Sequence, residues 1–289
     1  MIGKYDITHG IDKISEYAKD ADVLYLYKIP SAMRNDLLKF AASKGLYAYI
    51  QPKLGDLILN STEQSSIFNL PVLRYNSRDS MSVYRIEKRI FDVLGSTLML
   101  IATIPVFIVV TILIKLDDGG SVFYTQTRFT KDRKEFKLIK FRSMRTNAEA
   151  DGVARLASKD DPRITRVGNW LRKTRLDELP QFINVLKGEM SIVGPRPERP
   201  EIAIQYEESL PEFSLRLLTK AGITGYAQIY GKYNTEPYDK LQMDLMYILN
   251  QSLWEDFKLT LLTLSVLLSK ESTEGIEKGN VTAAKHHEA

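Results

Sequence analysis

Asp177 and Glu178 stand side by side in the stretch Lys173–Pro200, with Arg172 and Arg175 just upstream and Arg196 in a Gly-Pro-Arg-Pro run downstream. Adjacent carboxylates among guanidinium groups suit phosphate chemistry. One acid can attack phosphorus, and the pair can hold Mg²⁺, which takes one or two carboxylates and completes its shell from water and substrate phosphates. The planar fork of an arginine matches phosphate oxygens. Pro195 and Pro197 stiffen the backbone around Arg196 and so reduce the entropy lost in aiming it. A plainer reading competes, in which the proline-flanked run is a rigid surface turn and the acids start a helix. Pro180 cannot sit deep in a helix, so a helix begins near Asp177–Leu179, capped by Asp177 or by Thr174 with Asp177. The two readings are compatible, because a carboxylate at the positive end of a helix stays ionised and hence nucleophilic.

Composition narrows the chemistry further. The 289 residues include no cysteine, which excludes disulfides, thiol nucleophiles and Cys-ligated metals. Three histidines, two of them at His286 and His287 in the polar tail, leave little for a His-based metal site or a Ser-His triad. The catalyst is therefore expected to use carboxylates, Lys or Arg, with a hard, oxygen-bound metal such as Mg²⁺. The hydrophobic share of 44% suits a folded chain. A net charge of +4 is too small by itself to imply nucleic acid, but Arg128–Arg145 carries eight Lys and Arg residues against Asp132 and Glu135. That run reads as a solvated face, or as a surface for anionic lipid, phosphate or nucleic acid. Within it, Lys140 and Arg142 are candidates for substrate phosphate.

An anionic substrate and a long apolar segment point together to a membrane. Val93–Ile114 carries no charge and is long enough to span a bilayer core. Pro105 sits near its middle, where it kinks a spanning helix or breaks the segment into two arms that enter and leave by one face. Arg85, Lys88 and Arg89 precede the segment, and Lys115 and the basic run follow it. Basic flanks belong on the cytoplasmic side, so both ends are expected there, with a re-entrant hairpin broken at Pro105. The N-terminus has no apolar run of the secretory type.

The remaining elements position this machinery. Ile11–Lys19 has helical spacing, Asp22–Tyr27 reads as a buried strand, Ser31–Lys44 as a helix capped by Ser31 and ended by Gly45, and Leu46–Ile50 as a second strand. Strand, helix and strand at this spacing predict a parallel crossover, and Leu70–Tyr75 is a third strand. No glycine-rich phosphate loop accompanies them, which favours a structural or regulatory module over a nucleotide site. Asn76–Ser82 reads as a linker, with an interfacial helix running on through Arg89. Val122–Gln126 and Glu135–Phe141 read as strands, and Asp177–Lys187 as a short helix with Pro180 in its first turn and Gly188 as its stop. Glu201–Leu210, Tyr238–Asn250 and Trp254–Lys270 are helical. Ala221–Asn234 is a loop rich in Gly and Tyr. The last helix is apolar nearly all round, fitting either a core or a membrane interface with Trp254 as its anchor.

Over Tyr84–Lys270 the chain resembles the bacterial sugar transferases, the monotopic polyprenyl-phosphate glycosyl-1-phosphate transferases. The resemblance rests on RIFDVLGS leading into the Pro-centred segment, VFYTQTRF, KFRSM, DPRITRVGNWLRKTRLDELPQFINVLKGEMSIVGPRP, GITGYAQIYGKYN and YILNQSLWEDFKL, in that order. It implies transfer of a sugar 1-phosphate from a UDP-sugar to undecaprenyl phosphate, with release of UMP and initiation of a surface glycan such as exopolysaccharide, capsule or O-antigen. It also implies that Asp177 attacks the β-phosphate to form a phosphosugar intermediate. Glu178 then assists through Mg²⁺ or the acceptor phosphate, and Arg172 and Arg196 surround the phosphates. The chain departs from the family pattern at Ile104-Pro105, at Asp118–Phe123, at Arg128–Thr130 and at Ala221–Gly225. Its first residues resemble the later part of the Rossmann-like module of long members, without the transmembrane helices that precede that module there. The chain is accordingly expected to be a truncated long form or a natural intermediate.

The expected fold class is α+β: a monotopic membrane protein with a partial Rossmann-like α/β module over residues 1–76 and a linker with interfacial helix over 77–89. A re-entrant membrane helix follows over 90–116, a largely helical catalytic domain with short strands over 117–270, and a flexible tail over 271–289. The expected partners are UDP-sugar, undecaprenyl phosphate, membrane lipid and a second copy of the chain, with no nucleic acid. The expected location is the cytoplasmic face of the bacterial inner membrane. The alternative is a non-catalytic, membrane-associated scaffold or regulator derived from the family.

Overall fold

The computed structural model describes residues 21–67, 70–75, 81–146, 148, 161–231 and 235–268. The helix expected at Ile11–Lys19, the tail 271–289 and most of the Asn76–Ser82 linker lie outside these residues. Packing divides the chain into two compact units, one ending at Asp56 and the other starting at Leu57.

In the first unit, strand β1 (Val23–Leu26) pairs in parallel with β2 (Tyr47–Ile50), in register Val23 with Tyr47. Helix α1 (Ser31–Lys44) connects them, as the spacing predicts, and ends where Gly45 takes a left-handed conformation (φ 67°). Ser31 does not cap α1. Pro30 holds the cap position, and the Ser31 hydroxyl instead accepts a hydrogen bond from Lys53 Nζ at 2.8 Å. Helix α2 spans Leu54–Asn60.

The second unit begins with a difference from expectation. The third strand, β4 (Leu70–Arg74), pairs antiparallel with β3 (Glu63–Ile67) in a separate two-stranded sheet. The polar text of β3 lacks the apolar alternation that announces a strand.

The charge-free segment forms the second half of helix α3 (Met81–Ala102) and most of helix α4 (Ile104–Asp118). The expected interfacial helix is thus the first part of α3 rather than a separate element. Among the described residues no single helix is long and apolar enough to cross a membrane, but this pair, bent by 59°, passes that test jointly. The bend falls at Thr103, two residues before Pro105. Proline is tolerated in a first turn because its missing N–H is unused there, and Pro105 lies in the first turn of α4. The Thr103 hydroxyl donates to Met99 O at 2.6 Å and closes the end of α3.

Outward faces of both helices are apolar and exposed, with Ile86, Ile90, Leu94 and Leu98 on α3 and Ile104, Ile108 and Ile112 on α4. Their inward faces differ. Helix α3 turns Tyr84, Lys88, Asp92 and Ser96 into the protein, a polar residue at every fourth position. Helix α4 buries Val110 and Ile114 against Phe141 and Leu171, flanked by Leu176 and Leu179.

Strands β5 (Phe123–Phe129) and β6 (Glu135–Phe141) form an antiparallel hairpin. Strand β5 runs three residues beyond Gln126, so Arg128 and Phe129 belong to the ladder. Helix α5 (Arg166–Lys173) is capped by Thr165, whose hydroxyl accepts from Gly168 N at 2.9 Å. It lies so close to the segment that follows β6 that a Cβ at Gly168 would come within 1.9 Å of Ser143 O. Helix α6 (Gln181–Lys187) ends at Gly188, with φ 81°. Strand β7 (Ser191–Val193) pairs in parallel with β8 (Gly222–Thr224), which lies in the stretch expected to be loop. Helices α7 (Pro200–Ser209), α8 (Tyr226–Ile229), α9 (Pro237–Leu249) and α10 (Leu253–Leu268) complete the unit. The last helix has a core face, where Asp256 and Leu259 are buried, and an opposite face on which Trp254, Phe257 and Leu261 are exposed.

Candidate active site

Two turns meet at the acid pair. The first leaves α5 through Arg175, a non-glycine residue in the left-handed region (φ 58°), and coils into one 3₁₀ turn, Leu176–Glu178. Such a conformation is uncommon for a residue with a side chain and requires support from its surroundings. Leu176 and Leu179 supply it by packing on the Val110, Ile114, Phe141 and Leu171 cluster beneath. With its two leucines facing the core, the turn directs Asp177 into the protein, where it is 7% exposed.

The cap expected of Asp177 is therefore absent. Helix α6 begins only at Gln181, with Pro180 at its cap position, and no side chain caps it. The Thr174 hydroxyl bonds backwards, to Trp170 O at 2.9 Å. The helix end consequently does not hold Asp177 ionised. Burial pushes its carboxyl above the ordinary aspartate value, and neighbouring Glu178 adds to this, while Lys140, Arg172 and Arg175 pull the other way.

Glu178 is in the opposite condition. Its Oε1 accepts from Lys140 Nζ at 3.0 Å and from Arg196 Nη2 at 2.8 Å. Burial by itself would raise this carboxyl, but Arg196 and Lys140 outweigh it and hold it well below the usual glutamate value. Asp177 Oδ1 is buried with no hydrogen-bond partner among the described residues. An unpaired buried oxygen is costly unless a cation or donor arrives to meet it. The adjacent carboxylates thus divide into one locked in ion pairs and one with a free oxygen. That oxygen, with Glu178 beside it, fits a divalent cation. The described residues contain no group of three or more acids or histidines that could hold a metal by themselves, so such an ion would complete its shell from water and phosphate.

The second turn, Gly194–Glu198, carries Arg196. It leaves β7 where the two strands nearly touch: a Cβ at Gly222 would lie 2.1 Å from Gly194 N. Gly194 N donates to Thr224 O at 2.8 Å, and Gly222 N to Pro195 O at 2.9 Å. On the far side, Arg216 Nη2 donates to Arg196 O at 2.9 Å while its Nε donates to Asp244 Oδ2 at 2.9 Å. Arg128 Nη1 donates to Pro197 O at 3.2 Å. Burial of the Arg128 guanidinium lowers its pKa to about 10. Glu198 is gripped by Lys240 and Arg216, which overcome its burial and hold it at about 2.

Of the residues expected at phosphate, Lys140 and Arg196 come together on Glu178, and Arg172 lies near enough to act on Asp177. Arg142 is engaged elsewhere, paired with Asp118 at the end of α4. Other cations of the basic run also have internal partners: Arg133 with Glu207, and Lys137 with Thr127. Sequence reasoning missed the supports of the Arg196 turn, namely Arg216, Asp244, Glu198, Tyr247 and Asp92. Only Asp92 left a signal, as part of the polar four-residue spacing from Tyr84 to Ser96 on an otherwise apolar helix.

The model of the family described as Bacterial sugar transferase matches residues 83–270. A UDP-glucose:undecaprenyl-phosphate glucose-1-phosphate transferase of Escherichia coli (strain K12) is 43% identical over 200 residues, covering 68% of this chain and 43% of the relative. A UDP-N-acetylgalactosamine-undecaprenyl-phosphate N-acetylgalactosaminephosphotransferase of Aeromonas hydrophila is 39% identical over 190 residues, covering 65% of this chain and 45% of that protein. A UDP-glucose:undecaprenyl-phosphate glucose-1-phosphate transferase of Klebsiella pneumoniae is 35% identical over 275 residues, covering 91% of this chain and 59% of that protein. The chain thus spans about half the length of the curated relatives it matches.

Proposed function

The chain belongs to the bacterial sugar transferase family, and from that premise we propose that it moves a sugar 1-phosphate from a UDP-sugar to undecaprenyl phosphate. The observation that carries this reading is the asymmetry of the acid pair. Glu178 is tied to Lys140 and Arg196, whereas Asp177 keeps an unpaired oxygen. An oxygen whose lone pairs are free is the better nucleophile, so Asp177 attacks.

In the first step an Asp177 oxygen bonds to the β-phosphorus, and the bond from that phosphorus to the bridging oxygen breaks. UMP leaves with the electron pair and a phosphosugar remains on Asp177. In the second step a phosphate oxygen of undecaprenyl phosphate bonds to the same phosphorus, the bond to Asp177 breaks, and the sugar is left on a polyprenyl diphosphate. Splitting the transfer in two lets one charged site serve both partners. Lys140 and Arg196 offset charge developing on the phosphoryl oxygens, and Glu178 keeps both cations aimed. Mg²⁺ bound at Asp177 and Glu178 would supply further charge neutralisation.

The helix pair α3–α4 enters the cytoplasmic membrane and returns, leaving the acid pair on the cytoplasmic face. Its 59° bend, the apolar outward faces and the basic residues on both flanks support this. The chain has no cysteine, so single cysteines placed at Arg85 and Leu116 report topology directly. Both are expected to react with an impermeant thiol reagent from the cytoplasmic side only, and labelling from opposite sides refutes the hairpin.

The reaction is tested by UMP release from a panel of UDP-sugars in membranes containing undecaprenyl phosphate. The wild-type chain is expected to release UMP and to yield a phosphosugar adduct trapped on Asp177. An adduct on Glu178, or no release with any donor, rejects the proposal.

A further inference from the structure

Strand β7 has a single strand neighbour among the described residues, β8. On that side Ser191 N donates to Ala221 O at 2.8 Å. The N–H of Ile192 points the other way, as alternate residues of a strand must. A buried strand edge needs partners for such groups, and here side chains provide them. Asp92 Oδ1 accepts from Ile192 N and from Ser191 Oγ, both at 2.9 Å. The Tyr247 hydroxyl donates to Val193 O at 3.1 Å. Asp92 is 3% exposed and comes from helix α3.

Gly194, Pro195 and Arg196 follow β7 directly. The chain between Ile192 and the guanidinium is short, and Pro195 stiffens it. Beyond Arg196 the backbone is held again, by Arg216 on its carbonyl oxygen. Its place opposite Glu178 is thus fixed upstream by β7 and downstream by Arg216. We infer that Asp92 is a positioning residue of the transfer reaction, holding the free edge of β7 so that Arg196 meets Glu178 and the substrate phosphate.

This inference rests on the proposed reaction and adds a connection to it. The face of α3 opposite Asp92 carries Ile86, Ile90 and Leu94, which are exposed. One helix therefore presents hydrocarbon outward and the support of a phosphate-binding arginine inward. Asp92 is the α3 side chain that meets the backbone of β7 directly.

A single oxygen of Asp92 takes both hydrogen bonds, which gives the test its form. Asparagine retains a carbonyl oxygen at that position and loses the charge. Glutamate retains the charge and moves the oxygens by one methylene. Alanine loses both. UMP release is measured for wild type, Asp92→Asn, Asp92→Glu and Asp92→Ala in nanodiscs, with kcat expressed per molecule able to form the phosphosugar adduct. Asp92→Asn is expected to stay near wild type, whereas Asp92→Glu and Asp92→Ala fall about 10- to 100-fold in kcat, the range typical of residues that orient a reacting group. A purely structural role would instead lower the adduct-forming fraction and leave kcat per competent molecule unchanged, and that result overturns the inference. So does an Asp92→Glu variant as active as wild type beside an impaired Asp92→Asn, because charge would then be what matters. If Asp92→Ala does not fold, the Asn and Glu variants decide alone. Absence of UMP release by wild type sinks the proposed reaction and this inference with it, while wild-type release matched by Asp92→Ala sinks the inference only.

Discussion

The turn that bears Asp177 and Glu178 rests on hydrocarbon, whereas the turn that bears Arg196 is gripped by hydrogen bonds and ion pairs. Leu176 and Leu179 anchor the first to the α4 cluster. Asp92, Tyr247, Arg216 and Arg128 anchor the segment around the second. The first tolerates a strained Arg175 because its leucines fix the backbone in place. The second must control direction more than depth, since a guanidinium fork is useful only when aimed, and hydrogen bonds supply direction where apolar contact does not. Both arms of the bent helix pair take part: α4 lies under the acids, and α3 lies behind the arginine.

That contrast can be broken most severely at the acids themselves. Asp177→Asn is expected to lower UMP release on the order of 10⁴-fold or more, the scale on which removal of a nucleophile acts, while thermal unfolding stays cooperative. Retained turnover would mean that the free oxygen of Asp177 is not the attacking group. Arg196→Lys keeps the charge but loses the fork, and should reduce kcat by about 10² to 10³. A change confined to KM would show that Arg196 binds substrate without favouring the transition state.

Next in size comes the apolar support. Leu171 is fully buried in the cluster under the acid turn, so Leu171→Ala should cost about 2–5 kcal/mol of stability, read from denaturant unfolding. Its effect on kcat per folded molecule should be smaller than that of Arg196→Lys, because the acids carry their own turn. The reverse ranking would dissolve the distinction between the two supports.

Acid should separate the turns by sign. Glu198 is held at about 2 in the folded chain against an ordinary value of 4.5. A depressed carboxyl stabilises the fold fully above its unfolded value, and that contribution is lost as the pH falls from about 4.5 towards about 2. Asp177 is raised, so its ionised form is the one the fold disfavours, and acidification through its folded value relieves that cost. Unfolding midpoints followed against pH should therefore show Glu198→Gln flattening the acid loss, and Asp177→Asn removing a small gain. Turnover should also fall on acidification at a pH above the ordinary aspartate range, since attack requires the ionised acid.

Much of the fold can be read locally. The crossover β1–α1–β2, the glycine stops at Gly45 and Gly188, and the β5–β6 hairpin follow from periodicity and turn residues. Strand β3 cannot be read this way, because Glu63–Ile67 lacks apolar alternation and is a strand only by virtue of its partner β4. The bend is placed at Pro105 by sequence and found at Thr103, because proline fits the start of a helix better than its break. In the site, the acid pair, Lys140 and Arg196 are recognisable from residue type and neighbourhood. Arg142 has the same type and neighbourhood, yet it pairs with Asp118.

The amino-acid sequence by itself determines which groups are available: two adjacent acids, forked cations, no thiols, and a charge-free apolar segment with a central proline and basic flanks. It also determines the local elements that carry them, since propensity, capping and periodicity act over a few residues. What only the tertiary structure decides is how neighbouring identical chemistries diverge. Asp177 and Glu178 differ by one position and one methylene, yet one is locked between two cations and the other keeps a free oxygen. That difference arises from the packing of Leu176 and Leu179 on the α4 cluster, and from an arginine delivered by strand β7, whose edge helix α3 contacts through Asp92. Charge state depends on surroundings within a few ångströms, and chain segments distant in sequence supply those surroundings.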